Sequence, residues 1–183
     1  IANGTNRVAV FIQNIVAVRN FNKDKIIDLK KGFILGLPTV IGSILGAQIA
    51  VQINENILET AIVISMMFMI FFLVLSPKKF LIGDDNQINK KIKLHVYFLY
   101  FFIGMYGGFI HIGVGYFLLL ALVLINGYDL IKANALKNFL VMLYVPFSLI
   151  IYIIKGQVYW EYGLIHSIGN IVGAYFASKY AKN

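Results

Sequence analysis

LHVYFLYFFIGMYGGFIHIGVGYFLLLALVLI, residues 94–125, is an unbroken apolar run of more than thirty residues with Gly107, Gly108, Gly113 and Gly115 at its centre and His111 between them. About 20 apolar residues, rising 1.5 Å each, already cross the ~30 Å hydrocarbon core of a bilayer. The run is therefore too long for one straight crossing. Glycine lets backbone open, and open backbone at membrane depth is tolerated only where it is buried in protein or lines a cavity. Two half-helices with a break between them are predicted, the second restarting near Tyr116. A restarting helix offers unpaired N–H groups and the positive end of its dipole, which suit an oxyanion. The alternative is that these glycines only permit close helix packing.

The rest of the chain has the same character. Of 183 residues, 60% are apolar and 13% charged, against about 25% charged in a soluble domain. The charges are segregated into short basic clusters, 23–31 and 78–93, between long uncharged runs. Membrane spans are predicted at 5–21, 33–53, 57–75, 130–154 and 158–180, the first carrying Arg7, Gln13, Asn14 and Arg19 and so facing protein or water. The fold class is all-α, a polytopic transmembrane bundle with Gly-broken helices. The Lys and Arg excess places loops 19–31 and 78–93 in the cytoplasm and the Lys-free loop 52–56 outside.

The net charge of +8 lies in inter-helix loops and not along one groove, which argues against nucleic acid. With no cysteine there is neither a disulfide framework nor thiolate chemistry. No signal peptide is recognisable, and residues are expected before Ile1.

The sequence also repeats. IGSILGAQIA at 41–50 and IGNIVGAYFA at 168–177 match at both Gly and both final Ala positions, and Ala2-Asn3 recurs as Ala133-Asn134, with Arg7 and Lys137 following. Duplication is common in secondary transporters. It divides the chain into a first half, 1–76, a basic cytoplasmic loop, 77–93, and a second half, 94–183. By that symmetry a Gly-broken helix is expected before Ile1 and a further span after Asn183. The halves are parallel if residues 94–125 cross once, inverted if they re-enter. The small residues Gly42, Gly46 and Ala50, like Gly169, Gly173 and Ala177, recur every four positions for close helix approach.

GGFIHIGVG at 107–115, ANGTNRVAVFIQNIVA at 2–17, DLIKANALKN at 129–138 and the twin GA-containing helices together resemble the TauE/SafE family of sulfite and organosulfonate exporters. The resemblance covers nearly the whole chain. It implies a bacterial inner-membrane, multi-pass transporter with a duplicated fold of about eight helices. His111 stands where a small residue is expected, and Ala135-Leu136 replaces the Gly4-Thr5 of the first copy, departures that bear on substrate and not on fold.

The residues themselves supply candidate ligands. Arg7 and Lys137 sit in or at the edge of the membrane, where an unpaired charge costs at least about 2.5 kcal/mol, so each either meets a partner or snorkels to headgroups. Arg7 is expected to be the stronger anion ligand, because its guanidinium holds two oxygens at once. Asn3, Thr5 and Asn6 in one copy and Asn134 and Asn138 in the other orient an anion or cap helices, with Asn3 expected near Asn134 in a shared site. Gln13 faces the pathway or bonds across helices, while Gly108, Gly113 and Gly115 open the backbone beside it. His111 either titrates to couple transport to protons or holds a structural hydrogen bond. His95, His111 and His166 lie on separate segments without paired carboxylates, so no metal and no cofactor are expected.

The expected function is secondary transport, exporting sulfite or an organosulfonate by alternating access. A passive anion channel is the nearest rival. An intramembrane enzyme would need a nucleophile with a base, or a metal set, and the spans carry neither. No ATP-binding motif is present. Expected partners are a small anion and the lipid bilayer, with no nucleic acid and with homo-oligomerisation left open.

Overall fold

The computed structural model describes residues 1–74 and 92–181. Its regular structure is helical throughout: α1 (Ala2–Lys23), α2 (Leu29–Gln52), α3 (Glu55–Val74), α4 (Leu94–Phe109), α5 (Val114–Leu120) continued by a π turn (Ala121–Ile125), α6 (Leu130–Ile154) and α7 (Trp160–Tyr180). The basic loop at 77–93 lies outside the described residues except for its last two.

The start of each long central helix is written in a short motif, Asp28-Leu29-Lys30-Lys31 and Asp129-Leu130-Ile131-Lys132. Each Asp is an N-cap, accepting the backbone N–H three residues on, from Lys31 at 3.1 Å and Lys132 at 2.9 Å. That satisfies one of the four donors a helix start leaves open. Hence α2 begins four residues before the apolar run from which its span was predicted. In the same way α1 runs from Ala2 through the polar Asn20 and Asn22, because its apolar positions alone do not define its ends. Both α2 and α6 are long and apolar enough to cross a membrane.

Glycines set the spacing of the central layer. A Cβ on Gly42 or Gly46 would overlap the carbonyl oxygens of Phe101 and Met105, so α2 and α4 meet backbone to backbone. Gly32 lies against Phe139 and Gly36 against Leu143, so α2 and α6 run side by side in the same direction. Thr5 meets Tyr159 and Asn20 meets Ser178, which makes α7 parallel to α1. Gly4 against Gln157 and Arg7 against Ser148 make α1 antiparallel to α6.

The second glycine stripe behaves differently from the first. Among the described residues nothing lies within 4 Å of a Cβ built on Gly169 or Gly173, so the packing role read for that stripe is not filled by them. The α7 surface exposes Ile165, Ile168, Val172 and Phe176 instead.

The segment 94–125 folds as a hairpin. α4 rises parallel to α2 and stops at Phe109; α5 restarts at Val114 and descends, so that Asn126 beyond its end accepts a hydrogen bond of 2.7 Å from Tyr100 in the second turn of α4. Tyr128 then reaches Asp28 at the start of α2, at 3.3 Å. Both ends of the hairpin therefore lie at the end of the bundle where α2 and α6 begin. Its turn is level with Gly46, six residues, or about 9 Å, short of the end of α2.

Gly107 and Gly108 do not break the helix. Both are helical, and they are needed for room: a Cβ on Gly108 would overlap the Ser43 carbonyl, and one on Gly107 would press on Val114 and the Tyr144 hydroxyl. The break falls at residues 110–113, where His111 (φ 69°) and Gly113 (φ 74°) both adopt left-handed backbone. Gly113 does so freely, whereas a side-chain-bearing residue such as His111 does so only when its surroundings hold it there.

Candidate functional site

One face of α6 builds the site. Asn134, Lys137, Val141, Tyr144, Ser148 and Tyr152 are spaced by three or four residues, which at 100° per residue confines them to an arc of about 80°. This seam runs from the start of α6 to the turn of the α4–α5 hairpin.

At the upper end of the seam the terminus of α4 would leave carbonyls without partners, at a cost of several kcal/mol each in a water-free environment. Side chains from two other helices satisfy them. The Arg7 guanidinium of α1 donates to Gly107 O at 3.0 Å and Gly108 O at 2.6 Å, and to Ser148 Oγ at 2.7 Å. Asn3 donates to Phe109 O at 2.8 Å and to the Tyr152 hydroxyl at 2.9 Å. The Tyr152 hydroxyl also reaches Gly108 O and Phe109 O, and its ring lies 4.7 Å from the guanidinium carbon. A cation at a helix C-terminus also opposes the negative end of the dipole. Arg7 is 0% exposed, which excludes the headgroup-snorkelling reading; of its three nitrogens Nε has no partner among the described residues.

Below this cap, His111 Nδ1 lies 2.9 Å from the Tyr144 hydroxyl, which pins the left-handed turn to α6. Lower still, Lys137 donates to Asn134 Oδ1 at 2.6 Å within its own helix and pairs with no carboxylate among the described residues. Among the described residues a Cβ on Gly115 would meet only the Lys137 Cδ, at 3.6 Å, so α5 leaves space there. Asn138 is 9% exposed, and its amide has no hydrogen-bond partner among the described residues.

The residues singled out in the sequence therefore fall into three groups. Asn3, Arg7, Gly108, His111 and Gly113 gather at the hairpin turn. Asn134, Lys137 and Asn138 lie lower on α6, with Gly115, in the first turn of α5, against the Lys137 side chain. Thr5 and Asn6 face away from the seam, lining a cavity of about 510 Å³ between α1 and α7 with Tyr159, Tyr162 and His166. Thr5 is occupied in accepting the Tyr159 N–H. Gln13 is half-buried, and its neighbour Asn14 bonds back to Val10 O on its own helix, not across helices.

Asn3 does not approach Asn134. Asn3 is bonded to Tyr152, 18 residues or about 27 Å along α6 from Asn134, because α1 and α6 are antiparallel. Tyr144, Ser148 and Tyr152 carry no signal singly in the sequence, but their helical spacing from Lys137 is a readable one.

Among the described residues the chain is an all-helical apolar bundle enclosing a polar seam and a broken helix, the architecture of a membrane protein. The chain belongs to the sulfite exporter TauE/SafE family, whose profile matches residues 1–183. It is 26% identical over 180 residues to a probable membrane transporter protein, ORF9, of Sinorhizobium, covering 97% of this chain and 67% of that one. It is 24% identical to a probable membrane transporter protein of Haemophilus influenzae (96% and 68% covered) and 25% identical to the probable membrane transporter protein YfcA of Escherichia coli K12 (96% and 64% covered). No solved structure shows a significant match. The relatives are transporters by name and not enzymes.

Proposed function

We propose that this protein is a secondary transporter of small anions, with sulfite and short organosulfonates as its substrates, working by alternating access in the bacterial inner membrane. The observation that carries the reading is one of charge. Arg7 and Lys137 lie along the inner seam, whereas all six acidic residues of the described segments, Asp24, Asp28, Glu55, Glu59, Asp129 and Glu161, lie in loops or the first two turns of helices. Buried positive charge without buried negative charge is complemented by an anion. The family supports the sulfur oxyanion in particular.

The helix directions support an inverted duplication. α1 and α6 are antiparallel, and so are their successors α2 and α7, as expected for two copies related by an axis in the membrane plane. The junction of α1 with α2, with Lys23, Lys25, Lys30 and Lys31, marks the end where α2 and α6 begin as cytoplasmic. On that assignment the hairpin enters and leaves from the cytoplasm.

Flux in proteoliposomes tests the function. Saturable uptake of labelled sulfite or taurine that accumulates against its gradient when a proton or ion gradient is imposed is the expected result. Linear, non-saturating equilibration would identify a channel. No flux of any tested anion would overturn the reading.

A further inference from the structure

The two basic residues of the seam are held in opposite ways. Arg7 has three N–H···O contacts at 2.6 to 3.0 Å, two to the Gly107 and Gly108 carbonyls at the end of α4 and one to Ser148 Oγ of α6, and it is fully buried. To bind a substrate through those donors it would have to release carbonyls into a dry interior. Lys137 carries three donors, of which one goes to Asn134, its own i−3 neighbour. Among the described residues its ammonium has no carboxylate partner, the flank toward Gly115 is open, and the next residue, Asn138, is 9% exposed and makes no side-chain hydrogen bond. Ser148, where Arg7 is fastened, is 11 residues and about 16 Å further along α6.

From this asymmetry we infer that Lys137, with Asn134 and Asn138, forms the oxyanion-binding site, on the side of the seam where α6 begins, and that Arg7 is a positioning residue that caps α4 and does not touch substrate. The assignment deepens the anion-transport reading and rests on it. An ammonium with two open N–H donors beside amides suits a monovalent oxyanion such as a sulfonate. It binds by charge and hydrogen bonds that adapt to a tetrahedral head, without the rigid fork an arginine would impose.

The chain has no cysteine, so a single reporter can be placed in it. Gly115→Cys puts a thiol where, among the described residues, a Cβ meets only the Lys137 Cδ. The measured quantity is the rate of maleimide labelling of this thiol in purified protein, with and without methanesulfonate. Methanesulfonate is expected to slow labelling at least threefold. Adding Lys137→Gln is expected to shift half-maximal protection to at least tenfold higher methanesulfonate, and Lys137→Arg to shift it less than threefold. Adding Arg7→Lys is expected to leave protection in place while lowering the melting temperature.

Protection that survives Lys137→Gln, or that vanishes with Arg7→Lys in folded protein, would overturn the assignment. If Arg7→Lys does not fold, the Lys137 pair decides alone. Should methanesulfonate give no protection although wild-type vesicles show saturable sulfonate uptake, the site is wrong and the function stands. Should no anion be taken up by wild-type vesicles, the function itself fails.

Discussion

Arg7 has five N–H donors and is shut away from water, so its surroundings must provide acceptors, and the end of α4 has acceptors to spare. On the basis of sequence, Arg7→Lys would be expected to cost substrate affinity and leave the protein otherwise intact. The capping geometry moves the expected loss to stability. A lysine cannot reach Gly107 O, Gly108 O and Ser148 Oγ with the same fork, and losing one charge-assisted bond costs about 1.5 to 3 kcal/mol. For a chain of this size that is a fall of roughly 3 to 12 °C in melting temperature, measurable by differential scanning fluorimetry in detergent. An unchanged melting temperature would show that the cap is dispensable. Asp129 gives a second residue-scale prediction, outside the membrane. Partial burial pushes its carboxyl upward, but the backbone N–H and ammonium of Lys132 outweigh this and hold it below the usual carboxylate range. A depressed folded value stabilises the protein above the unfolded value of about 3.9, and that stabilisation is lost as pH falls through the folded value. Asparagine caps a helix about as well and does not titrate. Asp129→Asn is therefore expected to match wild type in melting temperature near pH 7 or fall slightly below it, and to lose less on acidification to pH 3.

At the scale of elements, the two glycine stripes read alike in sequence and part company in space. A methyl at Gly42 or Gly46 would force α2 and α4 apart, and such overpacking costs about 1 to 3 kcal/mol. Gly169→Ala and Gly173→Ala meet nothing among the described residues and exchange glycine for a better helix former, worth up to about 1 kcal/mol each. The first pair of substitutions is expected to lower the melting temperature by several degrees and the second to hold or raise it. If Gly169→Ala or Gly173→Ala destabilises as strongly as Gly42→Ala, that face of α7 is packed in the native protein. The hairpin break belongs to this scale as well. Four glycines suggested one opened stretch, but only Gly113 has the left-handed backbone that glycine favours; Gly107 and Gly108 are there so that helices can touch.

For the whole molecule, the decisive feature is that the apolar run of more than thirty residues turns back instead of passing through. Single cysteines introduced at Lys93 and Asn126, the flanks of the hairpin, are expected to react with an impermeant maleimide from the same side of the membrane. Cysteines at Asn54 and Gly156, beyond the ends of α2 and α6, are expected to react from the other. Labelling of positions 93 and 126 from opposite sides would replace the hairpin by a single crossing and make the two halves parallel.

Composition and run lengths by themselves determined that this chain is a helical membrane protein, because burying so much apolar surface in a water-soluble shape is physically closed to it. They also located the helix break within a few residues and identified Arg7, His111 and Lys137 as charged or titratable groups in apolar surroundings. Periodicity could not determine direction, since a helix going up and one going down have the same pattern. Hence the antiparallel pairing of α1 with α6, and with it the separation of Asn3 from Asn134, was decided by tertiary structure alone. The partner of Arg7 was equally hidden. Backbone carbonyls carry no sequence signature, and which of them lack a hydrogen bond depends on where a helix ends and what packs against that end.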